Sequence, residues 1–124
     1  MTRDRIARAV LLAAALVAAG PLAAAEGTAS VTGEVVDSAC WIKSGAHGES
    51  HRTCAQKCAD AGIPLAIVEE PGGNLVWLAS VDDAETPNAA LRPFAGRRVT
   101  VTGTWAERGG AKILLVAKVV PASK

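Results

Sequence analysis

The alternation of apolar and polar residues is clearest toward the C-terminal end of the chain. Val99, Val101, Gly103 and Trp105 alternate with Thr100, Thr102 and Thr104, the two-residue period of a strand with one face in a core. Beyond Gly109-Gly110, Ile113, Leu115, Ala117 and Val119 share a face of a second run, so the two runs predict a hairpin. Near the start, Val31 and Val35 stand opposite Thr32 and Glu34, and Gly33 marks a bulge or a close backbone approach. Two further apolar runs, 63–70 and 74–80, flank Pro71-Gly72-Gly73, which predicts another hairpin.

The connections follow a different logic. Ser50 suits an N-cap for a helix over 51–61, with Gly62 at the left-handed C′ position and Pro64 preventing continuation. Thr86-Pro87 opens a short helical turn through Ala90 and Leu91 before Pro93 interferes. These elements predict a mainly β domain. It is a small five-stranded OB-like barrel with one helix after strand 1 and a short helical turn between strands 3 and 4. A standard OB barrel carries its main helix in the later of these two connections.

The first 25 residues fit neither period. Arg3, Arg5 and Arg8 precede an apolar run from Ala9 to Ala19 and the small residues Ala23-Ala24-Ala25, the three parts of a secretory signal. The division expected is therefore a signal peptide, 1–25, and an OB-like domain, 26–124. The apolar run is shorter than the about 20 residues of a membrane span, the arginines are not paired as in a twin-arginine signal, and no cysteine follows for a lipid anchor. The mature form is expected to be soluble, without a membrane span, and periplasmic or secreted from a bacterium, where disulfides persist.

Without the signal, which carries three arginines against Asp4, the formal net charge of +1 becomes −1. A domain of that size has a modest core that a metal or disulfide would reinforce. The chain has no Tyr, one Phe and three Trp, so the basic, aromatic-lined groove of a nucleic-acid binder is missing. Arg97 and Arg98 read as a solvated strand start.

The candidate chemistry is concentrated in one stretch. All three cysteines, Cys40, Cys54 and Cys58, and both histidines, His47 and His51, fall between Asp37 and Pro64. On the expected helix, His51, Cys54 and Cys58 stand at i, i+3 and i+7 and so share a face. Cβ atoms at i and i+4 are about 5–6 Å apart, too far for a relaxed disulfide at about 3.5–4.5 Å, but suited to two thiolates on one ion. Cys40, expected at the end of the first strand, completes a Cys3His set for zinc or Cu(I). His47, in the Gly-rich run, is a weaker candidate that could replace His51 or add a contact. Asp37 is placed to orient a ligand. A closed four-donor shell favours structural zinc, whereas thiolates with a loose imidazole favour Cu(I) carriage, for which a periplasmic partner protein is expected.

Two other readings are open. A single disulfide from Cys40 to Cys54 or Cys58 would staple an OB-like domain that binds a protein or small ligand, without metal. A thiol redox protein would need a lowered thiolate pKa, which the first turn of the helix favours, but there is no Cys-x-x-Cys. Asp37, Glu49 and Asp60 form no paired-carboxylate or Ser/His/Asp set, and no phosphate-binding Gly-rich motif opens a helix. The composition therefore points to a binding protein and not to an enzyme.

Asp37-Ser38-Ala39-Cys40 and the segment His51 through Pro64, of the form His-x-x-Cys-Ala-x-x-Cys-x-x-x-Gly-x-Pro, resemble a family of small exported bacterial proteins of OB-like architecture and uncharacterised function. Val99-Thr100-Val101-Thr102-Gly103 is similar to the fourth strand of bacterial OB-like proteins. The resemblance implies the fold and leaves the activity open.

Overall fold

The computed structural model describes residues 27–123, and the expected signal peptide, 1–25, lies outside the described residues. Six strands, β1 (Thr28–Asp37), β2 (Leu65–Glu69), β3 (Leu75–Val76), β4 (Leu78–Ser80), β5 (Arg98–Arg108) and β6 (Ala111–Pro121), form one sheet. Its order is β3-β2-β1-β5-β6-β4. All pairings are antiparallel except β4 with β6, which is parallel.

The two edges of this sheet are consecutive in the chain. β3 and β4 are separated by Trp77 alone, whose carbonyl accepts from the Leu114 N–H at 2.9 Å. The ladder therefore closes on itself, and closure removes exposed strand edges. The mainly β class is as expected. The strand count is six and not five because the third expected strand breaks at Trp77, where it leaves β2 and turns to β6.

The barrel interior is filled by Val31, Val35, Leu65, Ile67, Val99, Val101 and Leu114, with Leu91 entering from helix α3 (Asn88–Leu91). On β5 the inward positions are those the alternation predicts: Val99 and Val101 are fully buried. On β6 they are not. Leu114 is buried and Val116 packs on the core, so the expected face of Ile113, Leu115 and Ala117 points away. Thr102 pairs with Lys118 but Gly103 pairs with Val116, leaving Ala117 as the extra residue of a β-bulge. A bulge reverses the side-chain alternation, and Val119 beyond it packs inward again.

The expected helical turn after Thr86 is present. Thr86 Oγ1 accepts from Asn88 N–H at 3.0 Å, and α3 runs into a 3-10 turn, Arg92–Phe94, that accommodates Pro93.

The first connection holds two helices where one was expected. Helix α1 (Ser38–Ser44) begins directly after β1, with Asp37 as its N-cap and Gly45, at φ 68°, as its left-handed terminator. Cys40 is therefore a helix residue and not the end of a strand. Helix α2 (Arg52–Asp60) follows a 3-10 turn, Glu49–His51, and takes no side-chain cap, so the N-cap role expected of Ser50 is not realised. Its C-terminal end is as expected: Gly62 has φ 89°, and Gly62 N–H to Ala59 carbonyl at 3.0 Å with Ile63 N–H to Cys58 carbonyl at 2.9 Å make a Schellman motif. Among the described residues no helix is long and apolar enough to cross a membrane.

Gly33 sits where β1 is paired on both sides, with Glu69 and with Val99, and a Cβ there would overlap the Val68 carbonyl and the Ile67 side chain. Backbone cannot yield as a side chain can. Gly33→Ala is expected to cost about 1–3 kcal/mol and to lower the thermal midpoint by at least about 5 °C; an unchanged melt by circular dichroism would contradict that close approach.

Candidate metal centre

The centre is assembled at the mouth of the first connection. β1 and β2 pair as far as Asp37 with Leu65, so the start of α1 and the end of α2 leave adjacent strands side by side. Ser38 ties them: its N–H and its Oγ both donate to the Pro64 carbonyl, at 3.2 and 2.7 Å. This junction brings Cys40, three residues into α1, against Cys58 in the last turn of α2.

Other anchors fix α2 to the barrel. Asn88 accepts from Leu65 N–H at 2.9 Å and donates to the Ile63 carbonyl at 2.9 Å. Arg52 donates to the carbonyls of Ala95 and Pro93 at 2.9 and 2.7 Å, and Arg92 pairs with Asp60 at 2.6 Å. Glu34 holds the intervening loop by accepting from Gly48 N–H and contacting His47 Nδ1 at 3.3 Å. These loop-holding groups are polar and come from distant parts of the chain, which apolar patterning does not reveal.

The potential ligand atoms form two sets, each within 4.8 Å: Cys40, His51 and Cys54, and Asp37, Cys40 and Cys58. Cys40 belongs to both. Cys54 and Cys58 each lie within reach of Cys40 yet fall in different sets, so their sulfurs are more than 4.8 Å apart. Two donors about 2.3 Å from one ion can be at most about 4.6 Å apart, so Cys54 and Cys58 as placed do not share an ion. The i, i+4 spacing puts their Cβ atoms on one face, but the sulfurs turn apart, Cys58 toward Asp37 and Cys54 toward His51. Cys54 is exposed and Cys40 and Cys58 are half-buried; all three are free thiols. His47, 62% exposed on Glu34, joins neither set.

Asp37 is fully buried. Its Oδ1 accepts from the N–H groups of Ala39 and Cys40 at 2.9 and 3.2 Å, capping α1. Among the described residues, two buried side-chain polar atoms have no hydrogen-bond partner: Asp37 Oδ2 and His51 Nε2. Their residues fall one in each set. The Cys58 and Cys40 thiols approach the carboxylate without completing a hydrogen bond to Oδ2. An unpartnered buried polar atom costs about 1–3 kcal/mol, so such an atom asks for an explanation.

The ionisation states follow from this arrangement. Burial opposes ionisation of Asp37, but the Cys58 and Cys40 thiols and the two capping amides outweigh it and hold the carboxyl below its ordinary value. Conversely, the thiol contact to Asp37, then burial, then the charge of Asp37 and the neighbouring cysteines push Cys58 up to about 12. Cys40 is raised for the same leading reason. These two sulfurs carry protons near neutral pH without a metal and lack the activated thiolate a redox protein needs.

Asp37 as a member of a donor set, and not only as an orienting group, was missed from the sequence, although Asp37 with Gly45 is a legible N-cap and C′ pair that would have placed Cys40 on a helix. No family model, curated protein or solved structure matches this chain.

In reduced, metal-free protein, Asp37→Asn keeps an N-cap side chain but removes the carboxylate whose contact with the thiol, and then whose charge, raise the Cys58 pKa. Alkylation of Cys58 by iodoacetamide at pH 8, followed by peptide mass spectrometry, is expected to accelerate by about tenfold or more. An unchanged rate would show that Asp37 does not govern that thiol.

Proposed function

We propose that the chain is a small exported protein that binds Cu(I) or zinc through its Cys/His cluster, with Cys40, His51, Cys54 and Cys58 as ligands. The observation that carries this reading is that the two residues with an unpartnered buried polar atom, Asp37 at Oδ2 and His51 at Nε2, each fall in a donor set with Cys40. An ion held in either set engages the buried polar side chain of that set, His51 or Asp37, and displaces thiol protons. Thiolates with imidazole suit soft or borderline ions. The circular strand order, with β4 parallel to β6 and a short helix before β5, supports the OB-like reading of the scaffold.

Carriage in the periplasm is supported by the signal-like pattern of residues 1–25 and by the exposure of Cys54, through which an ion or a partner protein would reach the cluster. The rival binding domain without metal finds less support. The groove lined by Phe94, Gly96, Arg97, Arg98 and Pro121 has its two guanidiniums paired with Glu49 and Glu70, so no free cation waits there for a ligand. A disulfide from Cys40 to Cys54 or Cys58 would disable both donor sets, since Cys40 serves each.

Metal binding couples to folding because the sets exist only in the folded chain. A strong chelator with reductant is expected to lower the thermal midpoint by several degrees more than reductant alone, at about 4–8 °C per kcal/mol for a domain of this size. Ligation expels protons, Cys58 having a thiol raised to about 12, so the difference should grow as pH rises from 6 to 8. Equal midpoints, together with no metal in protein purified without chelator, would reject this reading in favour of the disulfide-stapled domain.

The exported form is expected to begin at or near Glu26. Recovery of residues 1–25 intact by N-terminal sequencing of periplasmic protein would contradict it.

A further inference from the structure

Two donor sets that share one sulfur differ in chemistry and in depth. The outer set, Cys40, His51 and Cys54, offers two sulfurs and an imidazole and includes the exposed Cys54. The inner set, Asp37, Cys40 and Cys58, offers two sulfurs and a carboxylate and includes the fully buried Asp37. Cys54 and Cys58 are too far apart to hold one ion together as placed.

We propose that the cluster is a two-position site in which an ion is taken up at Cys40, His51 and Cys54 and retained at Asp37, Cys40 and Cys58, pivoting on the Cys40 sulfur. This rests on the metal-binding reading and makes Asp37 a ligand of the retained state. The transfer is a ligand exchange without redox change. The ion keeps its bond to Cys40 Sγ, breaks those to Cys54 Sγ and the His51 imidazole, and forms bonds to Cys58 Sγ and the Asp37 carboxylate. Cys58 gives up its proton and Cys54 takes one up, so the thiolate count is conserved.

Three features of the inner position fit retention. Asp37 is fixed by its own capping bonds through Oδ1, so Oδ2 is held in place before an ion arrives. Cys58 is fixed through its carbonyl in the Schellman motif. Ser38 and Pro64 lock the two helix ends that carry the set. The outer position is the more open one: Arg52 anchors the start of α2 to the Ala95 and Pro93 carbonyls, but Cys54 faces solvent. A preorganised, buried position releases its ion slowly and an exposed one exchanges quickly. The carboxylate also makes the inner set a zinc-type site and less suited to Cu(I), which prefers softer donors.

The test uses reduced exported protein and Cd(II), whose thiolate-to-metal absorption reports occupancy, with loading followed after mixing and release followed into excess EDTA. Cys54→Ser and His51→Ala are expected to slow loading by about tenfold or more and to leave release within about twofold. Cys58→Ser and Asp37→Asn are expected to load as the wild type does and to release about tenfold faster or more. Metal-free melting curves identify any variant that fails to fold, and each position is probed by two variants. Wild-type release rates in both inner variants would overturn the inner position while leaving the metal-binding reading intact. An equal loss of loading and retention in all four would show one undivided site. No uptake of Cd(II), zinc or Cu(I) by the wild type would instead reject the metal-binding reading.

Discussion

The Asp37 carboxylate is the point on which the rest of this structure turns. It ends β1, pairs in register with the first residue of β2, caps α1 and lies against two of the three cysteines. One oxygen is spent on the backbone and the other has no partner. A fully buried carboxylate is costly unless hydrogen bonds or opposite charge compensate it, and here the neighbouring thiols and two amides hold its pKa below the ordinary value while Oδ2 stays without a hydrogen bond. The consequence is carried outward to Cys58 and Cys40, whose thiols are pushed up first by their contact with this carboxylate, then by burial and by its charge. A single residue thus couples strand pairing, helix start and thiol ionisation.

The insertion between β1 and β2 does not depend on a metal for its position. Sparse apolar content in the Gly-rich loop suggests that a bridge from Cys40 must hold it, but Glu34, Arg52, Asn88 and Arg92 do so with hydrogen bonds to backbone and one ion pair. Hydrogen bonds that pair buried groups hold geometry at little net gain in stability. The donor atoms are therefore held close by the barrel before any ion arrives, as preorganised sites require.

Chemistry divides along the same line. The outer donors are sulfur and imidazole and include the exposed Cys54; the inner donors include a hard oxygen on the fully buried Asp37. The Cys40 sulfur belongs to both, so oxidation of that one thiol removes both donor sets at once. This makes disulfide formation and metal binding mutually exclusive states of one residue. An activated-thiolate role is opposed by the direction in which Asp37 moves its neighbours.

The sequence by itself determined the barrel strands β1, β2 and β5, the turns at Pro71-Gly72-Gly73 and Gly109-Gly110, the end of α2 at Gly62 and the concentration of cysteine and histidine in one connection. These are local properties, set by two-residue alternation, by glycine's access to positive φ and by proline. It did not determine the inward face of β6, because a bulge at Ala117 depends on the partner strand, nor the break at Trp77, which only closure of the barrel imposes. The helix at Ser38 is legible from Asp37 and Gly45 and is hidden when Cys40 is placed at the end of the first strand. Which sulfurs meet was decided by tertiary structure alone: helical spacing aligned the Cβ atoms of Cys54 and Cys58, but the position of Asp37 across the β1–β2 junction drew one sulfur inward and left the other at the surface.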